Sequence, residues 1–221
     1  LVFETKIWNH AYFVERIDKY FYVRAREKPF ATQIPMRRLI ILAGIAIALI
    51  LLVLAVSRYY IRKEKKSYSP EDRVEFSKGT LEITLFYNRP FKKNREIFGG
   101  LVPYDQVWRT GANEATIFET NENLVFEGKT LRAGTYSLWT IPRQDTWTII
   151  FNSEYGQWGI NSKGEPNREA SRDVLTLDVP SMHQDRVFEQ FTISFETVGE
   201  DVEMVLMWDK TLVAVPFSSS R

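Results

Sequence analysis

Thr80-Leu81-Glu82-Ile83-Thr84-Leu85-Phe86-Tyr87 alternates, with Leu81, Ile83 and Leu85 set against Glu82, Thr84 and Phe86. Successive side chains of a strand point to opposite faces, so this period describes a strand with one face in a core. Downstream, Thr116–Thr120 and Asn123–Phe126 are short runs of the same kind joined by Asn-rich turn residues. Glu127-Gly128-Lys129 reads as a tight turn. Gly134–Ile141, Trp147–Phe151, Val174–Val179, Phe188–Thr197, Val202–Trp208 and Thr211–Val215 follow, punctuated by Gly, Pro, Asn and Asp. No long amphipathic helix and no internal repeat interrupts them. The expected fold is all-β, a single jelly-roll-like β-sandwich over residues 74–217, with a short tail at 218–221.

Upstream the character changes. Leu39 to Val56 is an unbroken apolar run without a charge. At about 1.5 Å per residue it would measure about 27 Å, enough to cross a bilayer core. Arg37 and Arg38 bound one end; Arg58, Tyr59, Tyr60 and Arg62 bound the other, with tyrosines suited to the interface. Charge at both ends argues against a buried core helix. A cleaved signal peptide is the sharper alternative, since Ala55-Val56-Ser57 loosely resembles a processing site. The run is longer than a usual signal core and Arg58 follows at once, so the expectation is an uncleaved signal anchor over 36–57, with a basic polar linker over 58–73.

Residues 1–35 form an aromatic and basic arm, with Phe3, Ile7, Ala11, Val14 and Phe21 near helical spacing. An amphipathic surface helix, a partner-docking helix and a weakly ordered tail are all consistent with that pattern. Met36-Arg37-Arg38 is also laid out as a translation start, which makes the arm separable from the rest.

Charge divides with the regions. Residues 1–66 carry 13 Lys/Arg against 5 Asp/Glu, a balance of +8; residues 67–221 carry 16 against 23, a balance of −7. The basic part flanks the apolar run, which suits lipid headgroups. The acidic part argues against nucleic acid as a partner. Orientation by positive charge is close to a tie. The chain has no cysteine and two histidines, His10 and His183. Disulfides, thiol nucleophiles and Cys-ligated metals are thereby excluded, and no cofactor or metal is expected. His183 reads as a surface residue in a turn.

One stretch is denser in special residues than a sandwich needs. It runs Tyr87-Asn88-Arg89-Pro90, then Arg95-Glu96-Ile97-Phe98-Gly99-Gly100-Leu101-Val102-Pro103-Tyr104, then Val107-Trp108-Arg109-Thr110-Gly111-Ala112-Asn113-Glu114-Ala115-Thr116. Ala133–Pro142 and Gly156-Gln157-Trp158-Gly159 add to it. Over about residues 74–217 this resembles the domain-of-unknown-function family numbered 2911, typical of Bacteroidota and related bacteria. The resemblance implies an exported bacterial protein and no established activity. It also decides the expected orientation: N-terminus inside, β domain in the periplasm, one span in the bacterial inner membrane.

Read physically, Arg89, Arg95, Glu96, Trp108, Arg109, Asn113 and Glu114 are the candidate binding residues. A planar guanidinium grips a carboxylate or phosphate with two parallel hydrogen bonds, so Arg109 would hold a ligand anion. Asn113 would supply a donor and an acceptor, and Glu114 would accept hydroxyl protons. Trp108, Trp139 and Trp158 could stack on a sugar. The competing reading is that Arg–Glu pairs and Asn brace long loops, and that the tryptophans are core.

The function expected is a membrane-tethered, non-catalytic envelope module that binds a ligand, polymer or partner protein outside the cytoplasm. Two alternatives stand beside it. One is a hydrolase on a carbohydrate or acylated envelope substrate, using Glu96 and Glu114 as a carboxylate pair. The other is a structural subunit of a membrane assembly. Besides an envelope protein or polymer, the partner expected is the bilayer, through Leu39–Val56.

Overall fold

The computed structural model of the chain describes residues 35–219; the arm over 1–34 and its helical readings lie outside the described residues. Helix α1, Met36–Tyr68, carries the apolar run. Its stretch Met36–Ile61 reaches a mean hydropathy of 3.4 and is long and apolar enough to cross a membrane. The side chains along 39–56 are exposed, which an apolar helix of a soluble core would not be. The helix does not stop at Ser57. It continues to Tyr68, into the stretch read as linker, where Arg, Lys and Glu are good helix formers, and the last residues of that stretch open β1.

The rest is mostly β. The strands are β1 (Glu71–Lys78), β2 (Leu81–Asn88), β3 (Thr116–Thr120), β4 (Leu124–Phe126), β5 (Lys129–Leu131), β6 (Gly134–Pro142), β7 (Thr146–Asn152), β8 (Asp173–Val198) and β9 (Asp201–Ser219). They form one antiparallel sheet in the order β1-β2-β3-β6-β7-β8-β9-β4-β5. Thus the all-β reading holds, but hydrogen bonding joins the strands continuously instead of dividing them into two sheets. Side chains far apart in that order still meet. The Phe118 ring of β3 lies 6.3 Å from Phe195 of β8, and Phe76 of β1 lies 5.5 Å from Phe195. Strands well apart in that order therefore share one core.

β1, β8 and β9 differ from the sequence reading; β9 joins the runs Val202–Trp208 and Thr211–Val215 into one strand. β1 is an added edge strand with only Val74 and Phe76 packed inward, and its charged remainder suits an unpaired edge. β8 joins two runs into one long strand. Its first part pairs with β7 through Thr176↔Ile150, and its last part pairs with β9 through Ile193↔Leu206. The register shifts between His183 and Phe188 and again between Phe188 and Thr192. Such irregularities bend a strand, and here they fall within its β9-paired part, after the change of partner between Pro180 and Ser181. His183 is exposed, as expected, but pairs with Thr211 inside this strand and not in a turn.

β7 is buried on nearly every residue, because its outer face is also covered. There Trp139, Ile150 and Ala115 make a second apolar cluster with Val107 and Ile141. The cover comes from residues 89–115, the long connection between β2 and β3. A second long connection, residues 153–172, joins β7 to β8. It meets the first where Ala115 N donates to Gln157 O at 3.1 Å.

Candidate functional site

These two connections, Tyr68 and Ser69 ahead of β1, and Trp208 in the middle of β9 enclose a cleft of about 640 Å³. Arg95, Trp108 and Arg109 line it, together with Lys93, Gly159, Ile160 and Trp208. The remaining candidates lie elsewhere. Glu96, Asn113, Glu114 and Arg89 are not among its lining residues.

Trp108 holds the connection to the sheet. Its N donates to Thr140 O at 2.7 Å and its O accepts from Thr140 N at 2.9 Å, so β6 gains a bridge. Its indole packs against Phe98, Trp147, Phe191 and Trp208, the last stacked at 6.0 Å with planes 17° apart. The indole Nε1 donates to Gly111 O at 2.9 Å. Trp108 is thus core on one side and cleft wall on the other. Trp139, by contrast, is fully buried with its Nε1 donating to Ser137 Oγ at 2.7 Å, so it is core and not a sugar platform.

Thr110 follows Arg109 in the left-handed region, φ 53°. A β-branched residue there costs about 1–3 kcal/mol and persists only where the surroundings over-determine it. They do so here. Thr110 is fully buried, its Oγ1 lies 3.2 Å from Thr140 Oγ1, and its O accepts from Thr116 Oγ1 at 2.6 Å. Arg109 O accepts from Thr116 N at 3.2 Å. Arg109 is therefore presented from a backbone pinned on both sides.

Its side chain is unlike its neighbours. The Arg109 guanidinium makes no hydrogen bond or ion pair among the described residues, and its Nη1 is buried without a partner. Burial pulls its pKa below the ordinary arginine value, and the charge of Glu114 opposes that only in part. Arginine nevertheless keeps its proton, so a cation stands half-buried and unmatched. Trp208 Nε1 is likewise buried without a partner, although the residue is 1% exposed.

The other candidates are braces. Asn113 is buried, at φ 58°, and its Nδ2 donates to Asn88 Oδ1 at 3.2 Å. Asn88 Nδ2 donates to Glu114 Oε2 at 3.0 Å, and Lys66 Nζ lies 3.8 Å from Glu114 Oε1. Arg89, just past β2, ties β1 to β8: its Nη1 donates to Asp72 Oδ2 at 3.0 Å, its Nε to Phe191 O at 3.1 Å and its Nη2 to Thr192 Oγ1 at 2.8 Å. Arg95 faces the cleft but is spent on its own loop, donating to Lys92 O and Phe91 O. Glu96 is exposed. For these the bracing alternative describes the contacts.

Sequence reasoning missed Trp208, Gly159 and Lys93. Trp208 ends an alternating run and reads as one more inward side chain; nothing local marks its indole N–H as unmatched. Gly159 follows a tryptophan in a loop, and its role becomes visible only against Arg109.

The molecule thus consists of a β domain behind a helix long and apolar enough for a membrane, with one cationic cleft built from two long connections. A family model described as protein of unknown function, DUF2911, matches residues 69–217, and the chain belongs to that family. No curated protein and no solved structure matches it.

Proposed function

We propose that the chain is a single-pass protein of a bacterial inner membrane whose β domain, on the periplasmic side, binds a ligand, polymer or partner protein without catalysis. The observation that carries this is the half-buried Arg109 guanidinium, without a hydrogen-bond partner and facing a cleft. A cation used only as a brace is matched by acceptors, as Arg89 is. One left unmatched behind a strained backbone is the pattern of a site prepared for something else. The exported orientation follows the expectation that the sequence resemblance carries. The hydrolase alternative has less support. No carboxylate is among the described residues lining the cleft, and Glu114 is bonded to Asn88.

The test uses the full chain in lipid nanodiscs and fractions of bacterial envelope extract, with thermal unfolding as the readout. The expected result is a fraction that raises the midpoint of the wild-type chain and not that of Arg109→Gln. Equal shifts in both, or none in the wild type, would sink the reading.

A further inference from the structure

The chemistry of the cleft says what kind of ligand it takes, on the reading that it is a binding site at all. Three cationic side chains line it, Lys93, Arg95 and Arg109, and no Asp or Glu is among its described lining residues. This stands within a region, residues 67–221, whose balance is −7. The local field therefore opposes the charge of the rest of the domain, which is how a cleft concentrates an anion. The Lys93 ammonium sits over the Tyr68 ring at 4.2 Å, and among the described residues it makes no ion pair with an acid. Arg95 donates only to main-chain carbonyls, which leaves its charge uncompensated too.

The unmatched atoms agree with the charges. Arg109 Nη1 and Trp208 Nε1 are both buried, both without a partner, and both belong to residues of the cleft wall. Each is a donor that cannot accept, so what either atom lacks is an acceptor. Around them the surface is apolar: Leu101, Val102, Val107 and Ile160, with the Trp108 and Trp208 rings stacked against each other. A volume of about 640 Å³ suits a small organic molecule, not a bare ion.

We propose that the cleft takes an amphiphilic oxyanion: a carboxylate or phosphate group carried on an apolar ring or chain. The oxyanion meets Arg109, with the Trp208 N–H as a second donor. The apolar body lies along the Trp108, Val107 and Ile160 wall.

Calorimetric titration of the full chain, in nanodiscs of phosphatidylcholine alone, tests this with three probes: phenyl phosphate, phenol and inorganic phosphate. Phenyl phosphate is expected to bind at least about tenfold more tightly than either of the others, a tenfold ratio being 1.4 kcal/mol. Arg109→Gln is expected to lower that affinity by about tenfold or more. Trp208→Phe, which keeps the ring and removes only the N–H, is expected to lower it less. Phenol binding as tightly as phenyl phosphate overturns the anion; inorganic phosphate binding as tightly overturns the apolar body. Both comparisons use the wild-type chain, so a misfolded variant does not spare the proposal. If no probe binds while an envelope fraction still shifts the unfolding midpoint, the ligand class is wrong and the binding reading stands. If neither happens, both fail. Repeating the titration with phosphatidylglycerol in the nanodiscs separates the sources. Loss of phenyl phosphate binding identifies a lipid headgroup, and unchanged binding identifies a soluble anion.

Discussion

The side chain of Arg109 lies across Gly159, where a β-carbon would stand 3.0 Å from Arg109 Cβ and closer still to its Cδ. Gly159 also has φ +93°, a backbone other residues rarely adopt. The loop over 153–172 is thus shaped around the aliphatic stem of Arg109, and the two halves of the cleft are fitted to each other at this point.

Replacing Gly159 by Ala should therefore do two things: strain the backbone and push Arg109 aside. Gly156 separates them, since it has φ +86° and open space where its β-carbon would be. Both Ala variants are expected to lose about 1–3 kcal/mol from the backbone term. Only Gly159→Ala should lose more than that, and only it should weaken ligand binding. Equal losses in denaturant titrations would mean that the Arg109 contact is incidental.

Arg109 should be a liability for stability while no ligand is present. A partly buried charge without a partner is expensive, and function often keeps such a residue. Arg109→Met is expected to raise the unfolding free energy by about 0.5–2 kcal/mol. Denaturation followed by tryptophan fluorescence reads this directly. A marked loss of stability would make Arg109 a brace.

Asn88 should behave in the opposite way. Its amide joins Asn113 to Glu114 and is 3% exposed. Asn88→Ala leaves the Asn113 amide without its acceptor and Glu114 without this donor, and is expected to cost about 1–3 kcal/mol. The same denaturation measurement applies, and a neutral result would show that the network relaxes at no loss.

Alkaline pH should destabilise the domain. Burial raises the pKa of Tyr87 above the usual tyrosine value, with the hydrogen bond from Ile193 N opposing it, and burial likewise raises that of Tyr136. The unfolded chain then gives up these protons first. Stability from this source is intact below about pH 10 and is lost as pH climbs through the folded-state values. Tyr87→Phe is expected to flatten the fall, measured as the unfolding midpoint across pH 9–11. An unchanged slope would exclude Tyr87 as a contributor.

Orientation can be read chemically because the chain has no cysteine. Ser162→Cys places one thiol on an exposed turn of the β domain. With the domain outside the cytoplasm, a membrane-impermeant maleimide labels it in spheroplasts. Labelling only after lysis would reverse the topology.

Local pattern determined much of this protein. The alternation of Leu81, Ile83 and Leu85 is period-2 information carried by neighbours in the chain, and these three side chains are buried in β2. Glu127 and Gly128 make the tight turn between β4 and β5, both at positive φ. The uncharged run 39–56 is helical by length and composition alone. Boundaries set by pairing were less legible. β1 has few apolar residues and exists because β2 offers it an edge, and β8 is continuous because β9 spans its irregularities.

The site divides along the same line. Composition marked Arg109, Trp108 and Arg95 as unusual, and they do line one cleft. Composition could not distinguish Arg109 from Arg89, which are the same residue type in similar surroundings. Arg89 finds Asp72, Phe191 and Thr192 because the start of β1 and the interior of β8 are brought beside it. The Arg109 guanidinium finds none among the described residues, although its aliphatic stem packs on Gly159 of the facing loop. Whether a buried charge is matched depends on atoms brought from elsewhere in the chain, and only the tertiary structure decides that.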